Sequence, residues 1–144
     1  FTIFPGQKLY LDGSSSSKSI LRSQEVITWH NPININNEPI SEGSYWLVYN
    51  SKTGNPIFSI QEGKVVVSGP DIPGYGNLVI IKHENNLLSA YAHNDTILVG
   101  EQSYVKQGQK IATMGRTDSS DVMLHFEIRR KGKSLDPFKF LPKQ

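Results

Sequence analysis

Between residues 26 and 141, short apolar runs alternate with turn residues, and that rhythm predicts strands. Lys64-Val65-Val66-Val67 is a β-branched run set off by Gly63, and Leu78-Val79-Ile80-Ile81 is a second one. The second run is opened by Gly74-Tyr75-Gly76 and closed by Glu84-Asn85-Asn86, so residues 87–93 are expected to fold back on it as a hairpin. Further strands are expected at 110–114 and 123–130. No stretch holds the apolar spacing of an amphipathic helix over a useful length. Closely spaced short strands of this kind make an all-β, mostly antiparallel sheet.

Successive strand residues point to opposite faces, which sorts the side chains that could carry chemistry. In 87–93, Leu88, Ala90 and Ala92 share one face, and Ser89, Tyr91 and His93 share the other. In 123–129, Leu124, Phe126 and Ile128 form an apolar face, with Met123, His125, Glu127 and Arg129 opposite. Each strand thus carries a polar or aromatic set away from its core. If the two strands are neighbours, His93 and His125 look into one groove.

Upstream the pattern changes. Residues 1–12 hold a short strand-like piece, and Gly13-Ser14-Ser15-Ser16-Ser17-Lys18-Ser19 has nothing to bury. Residues 13–25 are therefore expected to be a flexible Ser-rich linker ahead of a folded domain at 26–144. The 144 residues suffice for one such domain. A formal charge of +2 without a dense Lys/Arg block gives no footprint for nucleic acid. With no cysteine, a disulfide framework and a thiolate metal site are both excluded. No apolar run reaches membrane-spanning length, and no segment of these residues reads as a signal peptide. A start at Phe1 is expected of a processed or truncated piece, with any anchor upstream.

Several motifs in order then resemble one family. Tyr91-Ala92-His93, Val105-Lys106-Gln107-Gly108-Gln109-Lys110-Ile111-Ala112 and Leu124-His125-Phe126-Glu127-Ile128-Arg129 look like LytM/lysostaphin-type zinc metallopeptidase domains. Gly74-Tyr75-Gly76-Asn77-Leu78, Ala90-Tyr91-Ala92-His93-Asn94-Asp95-Thr96 and Asp136-Pro137-Phe138-Lys139-Phe140-Leu141-Pro142 are most similar to its NlpD-like branch. Ile3-Phe4-Pro5-Gly6-Gln7-Lys8-Leu9 is similar to the end of a LysM repeat, which makes 1–12 a LysM remnant in this reading. The resemblance implies a LytM-like sheet that forms a groove.

In active members of that family, zinc is held by the His and Asp of an HxxxD motif and the second His of HxH. A YxH histidine and the first His of HxH assist catalysis. Carried onto this chain, HxH falls on Met123-Leu124-His125, the YxH histidine on His93, and the HxxxD ligands on Ser44 and Val48. Residues 43–54 contain no His, Asp or Glu, so no shift of alignment restores the ligands. A catalytic zinc needs about three protein ligands plus an open position for water. With His125 the one expected ligand retained, neither a metal nor another cofactor is expected.

The resemblance thus implies a non-catalytic, degenerate LytM domain. Such domains activate a periplasmic N-acetylmuramoyl-L-alanine amidase as septal peptidoglycan is split, and their parent proteins are outer-membrane lipoproteins. A regulatory element of the amidase would dock in the groove, lined here by Tyr75, Leu78, Tyr91, His93, Met123, His125 and Arg129. Tyrosines and arginine are typical interface anchors, and Met123 makes the groove more adaptable. His93 and His125 read either as such contacts or as hydrogen-bonded remnants. Trp29 and Trp46 read as packing residues, His30 and His83 as strand-end residues without a role, and Lys131-Gly132-Lys133 as a hairpin turn. Two other functions fit the residues. One is a peptidoglycan-binding module; the other is a zinc endopeptidase with ligands drawn from His93, His125 and Glu127 or Asp121.

Overall fold

A computed structural model describes residues 29–33, 41–42 and 46–142, with backbone alone for 41–42. The expected LysM remnant and linker, and Ser44, lie outside the described residues. Within them the chain is an antiparallel sheet, as expected from the sequence. Its strands are β1 (Ser41–Glu42), β2 (Leu47–Tyr49), β3 (Pro56–Phe58), β4 (Gly63–Gly69), β5 (Asn77–Lys82), β6 (Leu87–Ile97), β7 (Tyr104–Val105), β8 (Lys110–Met114), β9 (Leu124–Arg130) and β10 (Lys133–Leu135). The main path runs β1-β2-β9-β6-β5-β4-β7, with β10 on β9 and the β3–β8 pair joined through β6.

Turn chemistry explains both hairpins. Asn85 and Asn86, each at φ 61, reverse the chain between β5 and β6, a backbone region asparagine tolerates. Lys131 (φ 52) and Gly132 (φ 80) join β9 to β10 with the paired positive φ that matches strand twist.

One sheet face packs the main core. Leu47, Val65, Val79, Ile81, Tyr91, Leu124, Phe126 and Ile128 are all buried there. Each fully buried side chain of this size stabilises the fold by about 2 kcal/mol. Leu78, Ala90 and Ala92 form a smaller cluster with Val67, Tyr75 and Ile80. Leu78, Ile80, Ala90 and Ala92 alternate with the core residues of β5 and β6, so the cluster lies on the opposite face.

A hydrogen-bonded polar line runs through the main core. The Ser89 hydroxyl bridges His83 Nε2 and the Tyr91 hydroxyl, both at 2.8 Å. His83 Nδ1 donates to the Glu62 carbonyl at 2.7 Å, and the Tyr91 hydroxyl accepts from the Ile60 amide at 3.0 Å. His83 is therefore a buried core residue, which corrects the expectation of a strand end without a role. Burial lowers its pKa to about 4 against the opposing pull of the Glu62 bond. The approach is close enough to require glycine at 63, where a Cβ would stand 2.4 Å from the Lys82 carbonyl and 2.9 Å from His83 Nδ1. Trp29 packs edge-on against His83 and Phe140, as a packing residue should.

Candidate functional site

The face opposite the main core collects the polar side chains of β9. Register places Val48, His125 and Ala92 in one row across β2, β9 and β6. The next row is Glu127, Ala90 and Ile80, and the one after is Arg129, Leu88 and Lys82. On β6, then, Leu88, Ala90 and Ala92 accompany the β9 polar set, and Ser89 and Tyr91 face inward.

That reverses the face expected for Tyr91. Its side chain is fully buried, tilted against Phe126 at 5.4 Å between ring centroids, so it cannot line a binding surface. His93 nevertheless reaches the functional face, because β6 carries a bulge between the two. Val79 pairs with Tyr91 and Asn77 with Asn94, so one intervening residue on β5 stands opposite two on β6. His93 takes φ 70 at this point, and alternation fails across it.

The rings of four side chains converge here. His125 stacks on Trp46 at 5.7 Å, meets Tyr75 edge-on at 6.1 Å and meets His93 edge-on at 6.2 Å. Trp46, a packing residue by the sequence reading, instead joins the candidate site through this contact. Leu78 is buried in the apolar cluster beneath Tyr75, and Met123 bridges to Gly115 just ahead of β9. Two loops hold Tyr75 and His93 in place. The His93 amide donates to the Tyr75 carbonyl and Nδ1 donates to the Thr117 carbonyl, both at 2.8 Å. The Asn77 amide donates to Thr117 Oγ1 at 3.0 Å, and the Gly74 amide to Asp118 Oδ2 at 2.9 Å.

Glu127 anchors the charged side of the site. His125 Nε2 donates to its Oε2 at 2.6 Å, and Arg129 holds its Oε1. Burial pushes the Glu127 carboxyl up, yet the bonds and charges of His125 and Arg129 outweigh it and the net shift is downward. A buried carboxylate satisfied by two donors fixes both partners in place.

The residues present do not fit zinc. Val48 faces His125 across the β2–β9 ladder and has no donor atom, and Glu127 engages His125 Nε2. Among the described residues no three His, Asp or Glu side chains are grouped so as to hold a metal ion. That includes the alternative set of His93, His125 and Glu127 or Asp121.

The antiparallel sheet matches the fold of the LytM/M23 peptidases. Residues 44–137 match peptidase family M23, and the chain belongs to that family. Over 91 residues it is 60% identical to lipoprotein NlpD of Yersinia enterocolitica, covering 63% of this chain and 94% of that sequence. It is 58% identical to the murein hydrolase activator NlpD of Escherichia coli K12, covering 63% of this chain but 24% of that longer protein. Among solved structures it resembles a zinc-containing peptidase from Vibrio cholerae, with TM-score 0.68 and 28% identity over 81% of this chain and 41% of that one. No helix among the described residues is long and apolar enough to cross a membrane.

Proposed function

We propose that this chain is a non-catalytic activator of a periplasmic N-acetylmuramoyl-L-alanine amidase, working in septal peptidoglycan splitting. The observation that carries the reading is the rung where Val48 faces His125. Val48 has no atom that could bind a metal, and the family resemblance would put a zinc ligand at this position. The murein hydrolase activator name of a relative at 58% identity supports the same role. Lipoprotein names among the relatives support a parent protein anchored in the outer membrane and facing the periplasm.

In this reading the amidase supplies the metal and the chemistry. A regulatory element of the amidase docks on the face formed by Trp46, Tyr75 and His125, with His93 at its floor and Met123 and Arg129 around it; Leu78, expected to line the groove, is buried beneath and supports Tyr75. The aromatic rings give apolar contact area at low entropic cost, and Arg129 leaves donor capacity at the edge. Activation requires that this face bind the open amidase more tightly than the closed one, since equal affinity shifts nothing.

The test uses the chain treated with chelator and then freed of it. It should raise the release of stem peptides from sacculi by a purified amidase, and Trp46→Ala should reduce that gain by about tenfold. If the chain alone solubilises sacculi, or amidase turnover does not respond to it, the proposal fails.

A further inference from the structure

The far end of the same face carries a row of side chains that docking at the aromatic cluster leaves unused. Five ladders in register place Tyr104, Lys64, Lys82, Leu88, Arg129 and Ser134 in one line across six strands. At the ordinary strand spacing, Tyr104 and Arg129 are roughly 19 Å apart. Arg129 lies four residues along β9 from His125, roughly 13 Å.

Lys64 and Lys82 are direct cross-strand partners. Like charges in that position destabilise a sheet. Among the described residues neither ammonium has a carboxylate within ion-pair distance. Lys64 instead sits 6.0 Å from the centroid of the Tyr104 ring, which is itself 76% exposed. A cleft of about 580 Å³ beside them adds Lys106, with Glu62 and Glu84 also on its walls, so positive charge prevails. Packing gives no reason for this lysine pair, whereas a counter-charge from outside would relieve it.

The geometry points to an acidic segment of the docked partner crossing the sheet along this row, from Arg129 to Tyr104, with an apolar side chain over Leu88. The inference rests on the docking reading above and extends it, because Arg129 joins the row to the aromatic cluster. Arg129 already holds Glu127, so Lys64 and Lys82 are the charges that meet the partner's carboxylates. Charges placed at the rim of an interface steer encounter and fix register.

Lys82→Glu separates this role from folding. It puts opposite charges across the β4–β5 ladder, so the urea midpoint of the chain should rise. Affinity for the purified amidase should nonetheless fall about tenfold at low salt, with the gap closing near roughly 0.5 M salt. Trp46→Ala serves as the control for docking itself. Should Trp46→Ala weaken binding and Lys82→Glu leave it unchanged at every salt concentration, the row is refuted and docking stands. A wild-type chain with no affinity for the amidase refutes docking, and the row with it. A lower urea midpoint in Lys82→Glu, or loss of sacculus capture with amidase affinity intact, also overturns the assignment.

Discussion

Acidification from pH 7 to pH 5 adds a proton to His83 in the unfolded chain while the folded chain refuses it. The cause is burial beside Trp29 and Ser89, which outweighs the raising effect of the bond to the Glu62 carbonyl and lowers the pKa from 6.5 to about 4. Because the unfolded state binds the extra proton, this contribution to stability is complete above pH 6.5. It is lost progressively as pH falls to about 4. Each pH unit inside that window costs about 1.4 kcal/mol, so the step from pH 6.5 to 5 removes about 2 kcal/mol. Glu127 has the opposite charge type but the same slope, since its lowered pKa gives stability that is lost only below the ordinary carboxylate range. Working at pH 5 and above therefore isolates the histidine. Urea unfolding followed by tryptophan fluorescence should show the midpoint drop by roughly 1 M between pH 7 and pH 5. In His83→Gln most of that drop should vanish. Equal pH dependence in the two proteins would refute the argument.

Two further outcomes follow from named contacts. Tyr91→Phe removes the acceptor of the Ile60 amide and a partner of the Ser89 hydroxyl, so urea unfolding should show a loss of about 1–2 kcal/mol without a change of fold. Gly76→Ala puts a Cβ 2.2 Å from the Thr117 carbonyl at a φ of +61. It should cost at least about 2 kcal/mol in thermal unfolding and, by displacing Tyr75, lower amidase activation as well.

The strands that could be read from the sequence were those with enough residues to show a pattern. Val65 to Val67 and Leu78 to Ile81 announce themselves by β-branching, and Gly-Tyr-Gly and Asn-Asn mark where they turn. Strands β2, β3, β7 and β10, of two or three residues each, are too short for alternation to register. The site was legible in its β9 half, because Leu124, Phe126 and Ile128 leave no doubt about which side His125, Glu127 and Arg129 take. It was illegible on β6. A bulge with histidine at its positive-φ position carries no glycine to announce it, so strict alternation put Tyr91 beside His93. Trp46 was missed for another reason. Its partner is His125, about eighty positions away, and local pattern holds no trace of a stacking contact made through strand pairing.

The extra residue in β6 lets a single uninterrupted strand serve two environments. Upstream of it Leu87, Ser89 and Tyr91 supply the interior; directly after it the even-numbered Asn94 does. Strand length between 91 and 94 therefore behaves as a phase setting. If the bulge were ironed out with the residue count kept, strict alternation would turn the His93 imidazole inward and the Asn94 amide outward. Redesign of this segment has to conserve the bulged backbone at His93 before it conserves the residues around it.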